Sequence, residues 1–203
     1  FSTYLFWKDQ YEKMLPHWEI FENSTKALCK AICVKNQIPH NQISSRIKSF
    51  DSFFSKIVQR ANGFHDDKEK GVNYSDRYSQ FLKSKTAENV TNVFAEIKDM
   101  VGLRIVFVYS SDIKEVEKHF FSPGIGHPAK WKDRKNPVPN ESELIVFEDT
   151  LKHLTWETTD HGYASVQFAF MLGEKRKNLF EFKEIKQIQG EIQLRTILQN
   201  GVA

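Results

Sequence analysis

Four short stretches of the chain concentrate the side chains able to do chemistry. In SSRIKSFDSFFSK (44–56), Arg46, Lys48 and Lys56 lie with the hydroxyls of Ser49 and Ser52 among three phenylalanines. Read as extended chain, Ile43, Ser45 and Ile47 point one way and Ser44, Arg46 and Lys48 the other, by the two-residue period of a strand. Ser49 is a good N-cap, and a helix begun there puts Phe50, Phe53, Phe54 and Ile57 on one side and Ser52 and Lys56 on the opposite one. Two cations leaving a strand beside a helix N-terminus favour an anion, through free N–H groups and the helix dipole, so the sharp expectation is a phosphate-bearing ligand. A solvated basic face on an ordinary amphipathic helix is the plainer alternative.

The other three stretches are also open to two readings. In DMVGLRIVFV (99–108), Asp99 closes a helix, Gly102 is expected in a tight helix-to-strand turn, and Arg104 is a lone cation in an otherwise apolar strand. A charge there needs either a structural acid or a ligand. In GEIQLRT (190–196), Glu191, Gln193 and Arg195 share one strand face while Ile192 and Leu194 occupy the other. Three polar side chains then converge on one surface, although an ordinary half-exposed strand alternates in the same way. In DHGYASVQF (160–168), Gly162 before Tyr163 at a strand start presents the ring as a stacking platform for a base, or else packs it into the core.

These residues need a scaffold. Helical spacing over 4–34, with Tyr11, Met14, Leu15 and Trp18 followed by Ala27, Leu28, Ala31 and Ile32, predicts two helices meeting near Pro16. The polar, Gly-containing run 61–85 reads as a mobile connection. A helix over 88–100, a buried strand over 101–109 and a helix capped by Ser111 over 111–120 follow, then a Pro-rich surface loop over 121–141. Strands are expected at 143–148, 163–172 and 187–194, with a last, incomplete helix beginning near Arg195. Interleaved helices and strands with two short final connections predict an α+β chain, a mixed sheet of about five strands flanked by helices.

Composition narrows the class. A chain of 203 residues with 17 phenylalanines can bury one full core, and no apolar run approaches a membrane span, so a soluble, cytoplasmic protein is expected. The net charge of +3 is compatible with a nucleotide or nucleic-acid ligand but is far from the balance of a dedicated nucleic-acid binder. Cys29 and Cys33, four apart in a helical pattern with no second pair downstream, read as core thiols rather than a zinc site or a disulfide.

Taken together, Arg-x-Lys-x-x-x-Ser-x-x-x-Lys (46–56), Asp-x-x-Gly-x-Arg (99–104), Gly-Tyr-x-Ser (162–165) and Glu-x-Gln-x-Arg-Thr (191–196) resemble, in order and spacing, the synthetase domain of the RelA/SpoT alarmone enzymes. The likeness covers roughly residues 40–200 and divides the chain into an N-terminal helical segment, 1–38, and a synthetase domain, 39–203. It implies a nucleotidyltransferase-like fold and transfer of the terminal pyrophosphate of ATP to the ribose 3′-hydroxyl of GDP or GTP, releasing AMP. By the same resemblance, Arg46 and Arg104 clamp the adenine and Lys48, Ser52 and Lys56 hold the ATP phosphates. Asp99 and Glu191 bind Mg²⁺, and Glu191 takes the proton of the attacking hydroxyl. Tyr163 stacks on the acceptor base, with His161, Gln167, Gln193 and Arg195 on the acceptor side.

The acceptor motif departs from the family pattern. Where Lys-x-Asn-Gly-Tyr-x-Ser-x-His is usual, this chain has Thr159, His161, Gly162, Tyr163, Ser165 and Gln167, and Val202 stands where Trp is usual. Two other functions fit the same motifs: a toxin-type enzyme that modifies the 3′ end of tRNA, using KWKDRK (130–135) and EKRK (174–177) as phosphate contacts, and an inactive nucleotide-sensing module. A homo-oligomer is compatible with either.

Overall fold

The computed structural model describes residues 2–64, 74–120, 144–154 and 165–200. The chain opens on α1 (Ser2–Lys35), one 34-residue helix with Pro16 inside it, where two helices were expected. An internal proline costs about 3 kcal/mol by removing a backbone donor and crowding the preceding turn. The stripe Trp7, Tyr11, Trp18, Phe21, Leu28 and Cys33 is buried on both sides of that residue. Each large apolar side chain so buried contributes roughly 1.5–3 kcal/mol, so docking both halves on one core outweighs the proline.

Five strands, β1 (Gln42–Ile47), β2 (Val101–Phe107), β3 (Leu144–Leu154), β4 (Ser165–Leu172) and β5 (Gln189–Thr196), form one sheet of order β1-β2-β5-β4-β3. β2 and β5 run parallel and the other neighbours antiparallel, so the expected mixed sheet of about five strands is present. Its apolar face carries Leu103, Ile105, Phe107, Phe168, Phe170, Ile192 and Leu194, all buried. Gly190 lies on that face, where a Cβ would come within 2.9 Å of the Phe170 ring and the Val101 carbonyl and within 3.0 Å of the Phe21 ring. Bare backbone there lets Phe21 of α1 stack on Phe170, with centroids 5.5 Å apart.

Helices α2 (Phe50–Ala61), α3 (Ser75–Lys83) and α4 (Ala87–Glu96) follow β1. α2 has the predicted faces: Phe53 and Ile57 are buried, and the Ser49 side chain caps the helix by accepting from the Ser52 N–H at 3.3 Å. Phe53 stacks on Phe94 of α4 at 5.3 Å, and Trp18 of α1 meets the same ring edge-on at 5.1 Å, so three helices share one aromatic cluster. α3 corrects the expectation of a connection through 61–85: Tyr78 and Phe81 are buried, three residues apart on one helix face. Residues 65–73 and the loop 121–141 lie outside the described residues.

The C-terminal part is α5 (Ser110–Phe120), the short α6 (Glu174–Lys177), a 3₁₀ turn at Phe180–Phe182, and α7 (Ile197–Asn200) after β5. Arg195 is a strand residue, because β5 stays paired with β2 as far as Thr196, and the last helix, expected near Arg195, begins at Ile197. Cys29 and Cys33 are buried and unbridged, as expected, and burial pushes the Cys33 thiol up to about 11. No helix among the described residues is long and apolar enough to cross a membrane.

Candidate active site

The polar side chains meet on the other face of the sheet. Strand register sets Arg46, Gly102, Glu191 and Ala169 in one row across β1, β2, β5 and β4, and Ser44, Arg104, Gln193 and Gln167 in the next. Gly102 is thus inside β2 and not in the turn before it, a correction that follows from pairing: it has partners on both sides, Arg46 and Glu191. A Cβ there would meet the Arg46 side chain at 3.6 Å, an ordinary contact, so its absence leaves open floor between those two residues. A cavity of about 200 Å³ stands on that floor, lined by Arg46, Arg104, Asp99, Glu191 and Gln193.

Asp99 comes from the turn between α4 and β2, three residues after the helix has ended. Its carboxylate is bracketed by two ammonium groups, Lys48 Nζ at 3.1 Å from Oδ2 and Lys56 Nζ at 2.9 Å from Oδ1. Burial alone would raise the Asp99 carboxyl, but Lys56 and then Lys48 outweigh it and hold it below the ordinary carboxylate value. Desolvation lowers the Lys56 ammonium more than Asp99 raises it, with Arg60 and Lys48 adding to the lowering. Lys48 is fixed through its backbone as well: its N–H donates to the Met100 carbonyl at 2.8 Å, and the Tyr11 hydroxyl donates to its carbonyl at 2.7 Å.

Glu191 is positioned by a relay along β5. Arg195 Nη2 donates to Gln193 Oε1 at 3.2 Å, and Gln193 Nε2 donates to Glu191 Oε1 at 2.9 Å. Arg195 is only 3% exposed and reaches the site through Gln193. On β4, Gln167 Nε2 donates to the Ser165 hydroxyl at 3.0 Å. Ser52 is exposed on the first turn of α2, its Oγ accepting from the Ser49 hydroxyl at 3.0 Å. Tyr163, His161 and Thr159 lie outside the described residues, as does the basic run 130–135; the run 174–177 forms α6.

A second cavity, of about 600 Å³, adjoins the first and shares Asp99 and Glu191 with it. Lys56, Arg60, Tyr74, Arg77, Glu96, Lys98 and Gln167 complete its wall. Arg60, Arg77 and Lys98 were missed in the sequence. For Arg60 a signal was present: it follows Lys56 by four residues, as Lys56 follows Ser52, and extends one polar helix face. Among the described residues no three His, Cys, Asp or Glu side chains are grouped so as to hold a metal by themselves, and the two carboxylates Asp99 and Glu191 fit a hard cation that keeps its waters and takes further ligands from phosphates.

No family model and no curated protein sequence matches the chain. Solved structures do. The small alarmone synthetase 1 from Bacillus subtilis bound to its product pppGpp superposes with a TM-score of 0.56 at 18% identity, over 95% of this chain and 77% of that one. A GTP pyrophosphokinase family protein from Streptococcus pneumoniae gives 0.56 at 16% identity, over 94% and 71%. The Bacillus subtilis enzyme bound to AMPCPP gives 0.50 at 18%, over 95% and 72%. With its sheet order, its helices and its polar face in register, the chain has the fold of the small alarmone synthetases.

Proposed function

We propose that the protein is a RelA/SpoT-type pyrophosphotransferase, moving pyrophosphate from ATP to the ribose 3′-hydroxyl of GDP or GTP to make a (p)ppGpp-type alarmone. The observation that carries this reading is that Asp99 and Glu191, from a turn and a strand, stand on the wall common to two cavities. One cavity has two arginines suited to stacking on a base, and the other has room and positive charge for a second nucleotide. The fold shared with a synthetase solved with pppGpp and with AMPCPP supports the same pair of ligands.

In this reading Arg46 and Arg104 hold the adenine, and Lys48, Ser52 and Lys56 the donor phosphates. The triphosphate competes with Asp99 for the two ammonium groups, and their transfer to phosphate oxygens frees the carboxylate. Asp99 and Glu191 are the residues that would hold Mg²⁺, which when bound neutralises charge building on the transferred group. The acceptor 3′-oxygen attacks the β-phosphorus, the bond from that phosphorus to the bridging α-phosphate oxygen breaks, and AMP leaves with the electron pair. The hydroxyl proton passes to the Glu191 carboxylate, which Gln193 holds in place from its other side.

Incubation with labelled ATP and Mg²⁺, and separately GDP, GTP, ATP or tRNA, tests the assignment. Label appearing on GDP or GTP with stoichiometric AMP is the expected result. Transfer to tRNA alone would make the protein the toxin-type enzyme, and ATP binding without transfer to any acceptor would make it a sensing module.

A further inference from the structure

One support of the donor side comes from outside the four motifs. The Lys48 carbonyl stands between a strand and a helix: β1 ends at Ile47, and the ladder of α2 begins one residue later, where the Phe53 N–H donates to the Ser49 carbonyl at 2.9 Å. A carbonyl ahead of that ladder takes its donor from a side chain or from water. Here the Tyr11 hydroxyl of α1 supplies it, donating at 2.7 Å across 37 positions of sequence. The ring that carries the hydroxyl is fixed. Tyr11 is buried, and its centroid lies 5.0 Å from Trp18, 5.6 Å from Phe50 and 6.0 Å from Phe53. Burial pushes the phenol above its ordinary value, so it stays a protonated donor. On the other side of the same residue, the Lys48 N–H donates to the Met100 carbonyl at 2.8 Å, next in sequence to Asp99, whose Oδ2 meets Lys48 Nζ at 3.1 Å. Both backbone groups of Lys48 are therefore held, one by the turn that carries Asp99 and one by α1.

We propose that Tyr11 is a positioning residue for the donor phosphates, holding the backbone of Lys48 so that its ammonium is aimed at the place where Asp99 and a triphosphate compete for it. The inference rests on the pyrophosphotransferase reading, in which Lys48 binds ATP. A lysine ammonium rides on a flexible four-carbon stem, so its reach depends on the direction in which the backbone launches it. Hydrogen bonds at both backbone groups of Lys48 fix that direction. Without the Tyr11 hydroxyl, the peptide joining Lys48 to Ser49 can turn its carbonyl to water, and the ammonium spends less time where a phosphate needs it. Tyr11 acts through Lys48 in this arrangement, so losing the hydroxyl weakens the hold on donor phosphate. The helix that precedes the motifs thus supplies one support of the site.

The test is calorimetric titration of the full chain with AMPCPP, in the wild type, Tyr11→Phe, Lys48→Met and the double variant, with Trp18→Phe as a control for lost packing. Tyr11→Phe keeps the ring and removes only the hydroxyl. Loss of that hydrogen bond should weaken AMPCPP binding by about three- to tenfold, and the KM for ATP should rise by the same factor. Because the effect passes through Lys48, Tyr11→Phe should add nothing once Lys48 is replaced by Met, the non-additivity expected of residues that act as a unit. Trp18→Phe thins the aromatic cluster but leaves the hydroxyl in place, so it should lower the Tm at wild-type AMPCPP affinity. Wild-type affinity in Tyr11→Phe, an equal loss in the Lys48→Met background, or an equal loss in Trp18→Phe overturns the proposal and returns Tyr11 to the core. The two readings fail separately. AMPCPP binding that depends on Tyr11, in a protein that transfers to no acceptor, removes the enzyme and leaves the positioning role standing, whereas pyrophosphate transfer with an unaltered ATP KM in Tyr11→Phe does the reverse. Absence of AMPCPP binding in the wild type overturns both.

Discussion

On the β1–α2 side of the site, Lys48, Lys56 and Asp99 hold one another by charge; on the β4–β5 side, Arg195, Gln193 and Glu191 are aligned by a line of directed hydrogen bonds. The first arrangement joins residues 43 or more positions apart and can exchange partners, because an ammonium group donates to a phosphate as readily as to a carboxylate. The second joins residues two apart on one strand face and has little freedom, since each amide must present the correct atom to its neighbour. In the proposed reaction, exchangeable charge would serve a polyanionic donor. Fixed geometry would serve a group that takes a proton from one defined hydroxyl.

The largest effect expected from breaking this contrast is at Glu191. Glu191→Gln keeps an oxygen for Gln193 but removes the proposed base, so turnover should fall by about two to four orders of magnitude while ATP affinity stays near wild type. Retention of more than a tenth of wild-type turnover would remove Glu191 from the base role.

Next come the arginines over the smaller cavity. Arg46→Ala and Arg104→Ala should each weaken ATP binding by on the order of 1–3 kcal/mol, the scale of a base stacked on a planar group, with the fold retained. Unchanged ATP affinity in both, by calorimetry, would return these residues to surface charge.

The hydrogen-bonded side should respond differently. Gln193→Leu leaves Glu191 charged but unheld, and loss of a hydrogen bond to a charged group, about 1.5 kcal/mol at the lower end, predicts roughly a tenfold fall in kcat with ATP binding unaltered. Because the contact is directional and short, the effect should persist at high salt, whereas binding through Lys48 and Lys56 should weaken as salt rises. Equal salt sensitivity of the two would mean that charge, and not directed hydrogen bonding, holds both sides of the site.

The smallest effect is on stability against acid. The folded Asp99 carboxyl lies below its ordinary value, so its contribution is complete above the unfolded pKa of about 4 and is lost as pH falls through the depressed folded value. Its size should be about 1 kcal/mol or less, as for ion pairs that keep contact with solvent. Thermal unfolding between pH 3 and 6 should show a shallower acid limb in Asp99→Asn, and an unchanged limb would mean that the two lysines stabilise nothing.

Much of the site's local geometry was legible because it depends on side-chain period alone. The alternation at 43–48 and 190–196 and the i, i+3, i+4, i+7 spacing after Ser49 determine which residues share a face, and the described strands and helix have those faces. The charge pattern, the phosphate-suited cations and the core thiols were readable in the same way. What escaped was whatever depends on partners distant in the chain. Helix α3 hid in a polar run because its two buried rings, Tyr78 and Phe81, find their core only against other elements. Pro16 looked like a break because its local cost is visible in sequence and the stripe that outweighs it must be docked to count. Faces, caps and the inventory of charge follow from the order of residues. Packing was needed for Gly102 to floor a cavity, for Asp99 to sit between two lysines, and for Arg60, Arg77 and Lys98 to line one space. Local backbone geometry carries no information about which strand will lie beside which, and in this chain the chemistry sits across those pairings.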